Sequence, residues 1–201
     1  MQAQQQPPFA KRVVEAMSNP DRLAAISRAS MSQMTSRDAV MQTLPDAEAT
    51  RDLARSIRAH TIAHLDQYLE QFEASVRAAG GCVHWAHDAD EACRTVTQIA
   101  QEQGAKRIAK SKSMVSEEID LNHALEAIGV EVVETDLGEF IAQLGEDRPS
   151  HIITPVLHLT RQEVGKIFAE KLNVPYTDVI SELNGIARET LRQVYLSADI
   201  G

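Results

Sequence analysis

Residues 105–145 read AKRIAKSKSMVSEEIDLNHALEAIGVEVVETDLGEFIAQLG, and this stretch decides the fold class. A short apolar run (RIA, 107–109) precedes a lysine–serine loop and a helical pattern that carries on to Ile128. Gly129 then punctuates the chain before a second run (VEVVE, 130–134), an acidic turn and a short helix ending at Leu144. Strand, helix, strand in that order demands a crossover, and a helical crossover places the two strands parallel. The expectation is an α/β domain built on a parallel sheet.

Working outward, the alternation extends on both sides. A run CVHWA (82–86) reads as a strand before a helix from Ala89 to Gln103, and HIIT (151–154) reads as a further strand before two more helices. Trp85 is expected in the core or in a pocket wall. Asp88 with Glu91, Asp136 with Glu139 and Thr160 with Glu163 have capping-box spacing, which opens helices by satisfying orphan N–H groups. Gly104, Gly129 and Gly145 stand where a left-handed helix cap favours a residue without Cβ. Ile119, Leu121, Leu125 and Ile128 form the face expected to pack on the sheet.

The front of the chain has another character. Leu53, Ile57, Thr61, Leu65, Tyr68, Phe72 and Val76 recur every three or four residues, predicting one long amphipathic helix over 50–79. Before it, residues 9–48 read as an extension of short helices, with Asn19-Pro20 as a helix start. Residues 1–8, Gln-rich and closed by two prolines, read as a disordered tail. The domain itself is expected over 49–201. Residues 1–60 carry eight basic and six acidic groups, whereas 101–201 carry ten and seventeen, so the front differs electrically from the rest.

Composition narrows the function. The 201 residues are 43% hydrophobic and 24% charged, ordinary for a globular chain, and the formal charge of −9 argues against binding nucleic acid through its phosphates. No apolar run is long enough to cross a membrane and no secretory leader is visible, so a cytoplasmic protein is expected. Two cysteines, Cys82 and Cys93, lack metal-finger spacing. The glycine patterns of dinucleotide folds, P-loops and α/β-hydrolases are missing.

Ligands of open parallel sheets bind beyond the carboxyl ends of the strands, which directs attention to three loops. Lys110, Ser111, Lys112 and Ser113 place two ammonium groups, two hydroxyls and backbone donors at a helix start, a setting for a small carboxylate or other anion. Equally, Ser113 is a plain N-cap and the lysines pair with Glu117 and Glu118. Glu134 and Asp136 offer either a buried network with the lysine loop or, for Asp136, a cap alone. His158 is the best-placed histidine for proton transfer and remains a weak catalytic candidate. His60 and His64, four apart, are a poor metal pair without a third ligand.

Taken together, the runs VHWAHDADEA (83–92), 110–145 and PSHIITPVLHLTRQEVGKIF (149–168) resemble the lactate utilization protein B family, the iron–sulfur subunit of a bacterial L-lactate utilisation system. The resemblance implies a domain of the LUD type, related to sugar-phosphate isomerases and CoA transferases. It also implies companion subunits, oxidation of L-lactate to pyruvate, and two 4Fe–4S clusters relaying electrons. Neither cysteine matches a cluster ligand, so no cofactor is expected to be held by this chain. The chain is read as the front portion of the domain, incomplete at its C-terminus and expected to be marginal alone or to need a partner. Lys110, Ser111, Lys112, Ser113, Glu117, Glu118, Asn122, Glu134, Thr135, Asp136, Gly138 and Glu139 match the family's runs and stand as ligand-binding candidates, without an assigned catalytic role. A stand-alone anion-binding module, or a scaffold whose 9–48 arm docks a companion subunit, are the alternative readings.

Overall fold

A computed structural model describes residues 8–147, 149–150 and 154–201. Two strands, β1 (Arg107–Lys110) and β2 (Glu131–Glu134), pair parallel in the register Arg107 with Glu131 through Lys110 with Glu134. The pairing follows from the expected crossover, which is helical but broken: α6 (Met114–Glu118) and α7 (Leu121–Ala127) replace one continuous helix. Asp120 interrupts it with φ of 56°, a left-handed conformation that Asp tolerates better than most residues. Ion pairs close both ends of the ladder, Arg107 Nε to Glu131 Oε2 and Lys110 Nζ to Glu134 Oε1, each 2.7 Å.

Alternation along the strands sorts the core into layers. Ile108 and Val132 face one way, packing with Ala100 of α5 (Ala89–Glu102), Leu125 of α7 and Val130. Ala109 and Val133 face the other way. They meet Phe140 of α8 (Leu137–Leu144) and Leu191 and Val194 of α10 (Ile180–Ser197). A third cluster, Ile141, Phe168, Leu183 and Ala187, joins α8 to α10 and α9 (Arg161–Leu172). Helices therefore cover both faces of the sheet, as parallel strands require.

The far edge of β1 is also occupied. Ile200 bridges Ile108 in parallel sense; Ala109 N donates to Ile200 O and Asp199 N to Arg107 O, both at 2.9 Å. The edge of β2 is met differently. Gln143 of α8 donates through Nε2 to Val132 O at 2.7 Å and accepts at Oε1 from Glu134 N at 3.0 Å, so its side-chain amide imitates a neighbouring peptide.

Several expectations need correction. Residues 82–86 form no strand: Trp85 is more than half exposed and donates its indole N–H to Glu73, so this segment is tied to a helix instead of a neighbouring strand. Trp85 is thus not part of the core. Of the HIIT run only Thr154 lies within the described residues, and it is not in a strand. Gly145 has φ of −78°; the left-handed position falls one residue later, at Glu146. Gly104 and Gly129 are left-handed as expected. Ile128, expected on the packing face, is more than one-third exposed.

At the front, α1 (Phe9–Met17) precedes α2 (Pro20–Gln42), whose N-cap Asn19 accepts from Arg22 N. A single 23-residue helix thus replaces much of the expected set of short ones. The long helix over 50–79 is divided at His64 into α3 (Ala47–Ala63) and α4 (Leu65–Ala78). Neither α2, α3 nor α4 buries a residue. Arg22 ties α2 to the α/β body, donating through Nε and Nη2 to Glu163 Oε1 at 3.2 Å. The expected 1–8 tail lies outside the described residues apart from Pro8.

Candidate functional site

The carboxyl ends of β1 and β2 carry a compact polar cluster. Lys110 is the last residue of β1 and Glu134 the last of β2, so the register itself brings their side chains together on one face. Their side chains are only 11% and 7% exposed. Lys110 Nζ also donates to Ser116 Oγ at 2.9 Å, and Asn122 Nδ2 donates to Glu134 Oε1 at 2.8 Å. Asn122 Oδ1 and Glu134 Oε2 are buried without a hydrogen-bond partner.

A second pair lies alongside. Lys112 Nζ is 3.1 Å from Glu139 Oε1, whose side chain is 1% exposed. Asp136 acts as N-cap of α8, accepting from Gly138 N and Glu139 N at 3.1 and 3.2 Å. Its capping box is one-sided because Glu139 turns to Lys112. Thr160 and Glu163, by contrast, form the complete reciprocal box. In the remaining case Asp88 accepts from Glu91 N while Glu91 accepts from His87 N, one residue before the cap.

The lysine–serine loop therefore differs from an open anion cradle. Ser113 caps α6, accepting from Ser116 N at 3.3 Å, and that helix has five residues. The lysines pair with Glu134 and Glu139 instead of Glu117 and Glu118. Thr135 extends the strand pairing, donating to Lys110 O through both N and Oγ1. Ser111 is exposed, Glu118 is exposed and Glu117 is half-buried. Gly138 gives the tight approach of Pro155, whose Cβ would lie 3.0 Å from a Cβ placed on it.

Beside this cluster lies an open cleft of about 530 Å³, lined by Ser116, Glu117, Asn122, Glu134, Glu139 and Asp147 among others. Eight of the sequence candidates, Lys110, Lys112, Ser113, Glu117, Asn122, Glu134, Asp136 and Glu139, thus belong to this cluster or its helix caps. His158 joins the rim indirectly, Nε2 standing 2.7 Å from Asp147 Oδ2. Gln143 is the participant that sequence reading misses: an amide on a helix carries no signal that it will serve a strand edge.

Residues 69–201 match the LUD domain. The chain belongs to the LUD domain family. Among curated proteins it is similar to Lactate utilization protein B of Bacillus pumilus, 41% identical over 194 residues. The proteins of that name in Oceanobacillus iheyensis and Geobacillus thermodenitrificans are 42% and 46% identical over 193 and 195 residues. In each case 96% of this chain is covered, but only 40–41% of the relative. The LUD chain thus spans about two-fifths of the length of the curated relatives it matches. No solved structure matches it significantly.

Redox and metal chemistry can be judged on the donors present. A 4Fe–4S cluster takes four thiolates, and this LUD chain has two cysteines. Cys82 is exposed, while Cys93 donates to Ile119 O, and burial, with Asp90 and Asp120 nearby, pushes its thiol pKa up. The residues present do not fit a cluster. Among the described residues no group of three or more His, Cys, Asp or Glu side chains is arranged to hold a metal. His60 and His64 instead stack with each other at 4.3 Å, and His60 Nε2 lies 3.1 Å from the Tyr68 hydroxyl. No helix among the described residues is long and apolar enough to cross a membrane.

Proposed function

We propose that this LUD chain serves a bacterial L-lactate utilisation system, as part of the subunit that conducts electrons when L-lactate is oxidised to pyruvate. One observation carries the reading: the 46% identity, over 195 residues, to a protein named Lactate utilization protein B. Such similarity across 96% of the chain includes the helical front as well as the LUD domain. In this reading the protein is cytoplasmic and works with companion subunits, and its fold is akin to that of sugar-phosphate isomerases and CoA transferases. Two 4Fe–4S clusters belong, in this reading, to the full-length proteins of the family, since the cysteines here do not suit one.

The contribution of the chain's own residues is structural and electrostatic. Lys110, Glu134, Asn122, Lys112 and Glu139 lock the carboxyl ends of the strands beside α6, α7 and α8, shaping the wall of the cleft. With both ammonium groups already engaged by carboxylates, a small carboxylate or other anion would have to displace Glu134 or Glu139 to be held there.

The test is genetic, with a chemical complement. Deleting the gene is expected to abolish growth on L-lactate as sole carbon source and to leave growth on pyruvate intact; undiminished growth on L-lactate overturns the proposal. The protein purified with its companions is expected to contain iron and acid-labile sulfide, and their absence from the assembly removes the electron-transfer role.

A further inference from the structure

We infer that α3 and α4 form the interface of a homodimer, with a second copy of this chain packed antiparallel on the same face. The starting observation is an unpartnered apolar stripe. Leu53 and Ile57 of α3 are 62% and 57% exposed, and Tyr68 and Phe72 of α4 are 42% and 62% exposed. Contiguous apolar surface of this kind marks an interaction site in a soluble protein. The stripe crosses the break at His64, because His64 N donates to His60 O, Tyr68 N donates to His64 O, and the His60 and Tyr68 rings meet edge-on at 6.1 Å.

The sequence of the stripe is self-complementary about its midpoint. A two-fold centre between residues 62 and 63 sets Leu53 against Phe72 and Ile57 against Tyr68. At about 100° per residue, Arg51 and Arg58 lie on one flank of the α3 stripe, and Asp66 and Glu73 lie on the same flank of α4. Antiparallel packing brings like flanks together, so the same centre, within one residue, places Arg58 beside Asp66 and Arg51 beside Glu73 of the other copy. On this flank the basic groups of α3 thus meet acidic groups of α4 in the other copy, as an isologous interface requires.

Among the described residues, nothing competes strongly for these groups. Arg58 and Asp66 make no ion pair among the described residues. Arg51 pairs with Glu48, and Glu73 with Arg77, within exposed helix turns, where such pairs contribute little. Most of the stripe lies outside the LUD match, which begins at residue 69, yet the relatives share 96% of the chain. The face is therefore additional to the LUD domain itself.

Sedimentation equilibrium on the full chain tests the proposal. Association to twice the 22.1 kDa chain mass is expected. Ile57→Glu and Phe72→Glu, both on exposed helix surface, are expected to give a monomer with an unchanged helical circular dichroism spectrum. Arg58→Asp or Asp66→Arg alone is expected to weaken the dimer about tenfold, as like charges then face each other, and the double reversal to restore it. A monomeric parent chain at about 100 μM, where even micromolar affinity gives a dimer, overturns the proposal. So does a dimer indifferent to Phe72→Glu, or a double reversal no tighter than either single one.

Discussion

Lys110 and Glu134 are Cα partners at the carboxyl ends of adjacent parallel strands, and their side chains close a 2.7 Å ion pair that is almost wholly removed from water. Breaking a buried pair by removing one partner is costly because the remaining charge keeps its desolvation penalty and loses its compensation. Lys110→Met is therefore expected to lower stability by about 3–5 kcal/mol. Replacing both charges, in Lys110→Met/Glu134→Leu, should recover much of that loss. Urea unfolding measures both variants, and a double variant no better than the single one contradicts the expectation.

A backbone contact gives a sharper steric case. A Cβ placed on Gly165 of α9 would stand 2.1 Å from the carbonyl oxygen of Thr177, and backbone cannot swing aside like a side-chain tip. Gly165→Ala is expected to cost about 1–3 kcal/mol, against the usual gain from alanine in a helix. Gly185, on α10, has open space around it, so Gly185→Ala is expected to stabilise by up to about 1 kcal/mol. The opposite signs of the two midpoint shifts in thermal unfolding are the readout.

Much of the α/β body is legible from residue order. Ile108 with Val132 and Ala109 with Val133 are short apolar pairs separated by a helical crossover, and a crossover of that kind admits only parallel pairing. The partners of the lysines are only partly legible. The pairing of Lys110 with Glu134 requires the strand register, and the pairing of Lys112 with Glu139 requires the angle at which α8 leaves its cap. Local spacing favours Glu117 and Glu118 instead, because it knows only neighbours along the chain. The segment 82–86 misleads for a related reason. Alternation there is genuine, but a strand needs an adjacent edge, and Trp85 is held by Glu73 of α4.

Gln143 offers a test of edge protection. Its side chain donates to Val132 O and accepts from Glu134 N along the edge of β2. In Gln143→Ala both backbone groups lose that partner, an effect of about 1–3 kcal/mol if they stay buried. The local signature is faster amide hydrogen exchange at Glu134, with exchange at Ala109, on the opposite edge of the sheet, changed only by the global loss. Equal acceleration at the two sites would show that the amide of Gln143 has no local role.

The pairing of the C-terminal segment with β1 is expected to depend on pH through Asp199. Its carboxylate accepts from Lys106 N at 2.8 Å and Arg107 N at 2.9 Å, and these two backbone donors, with the nearby basic side chains, hold its pKa below the usual aspartate value. A carboxyl whose folded pKa is depressed adds stability that is fully present above the unfolded pKa, about 3.9, and is lost as pH falls through the folded value. The attachment of Asp199 and Ile200 to β1 should thus be constant from neutrality down to about pH 5 and weaken below about pH 4. Amide shifts of Lys106 and Arg107 followed by NMR are expected to move together with an apparent pKa below that of a free aspartate. Asp199→Asn, which retains an acceptor but cannot ionise, should abolish that titration. Shifts that titrate at the ordinary aspartate value in the parent chain, or unchanged in Asp199→Asn, would place the pH dependence in another group.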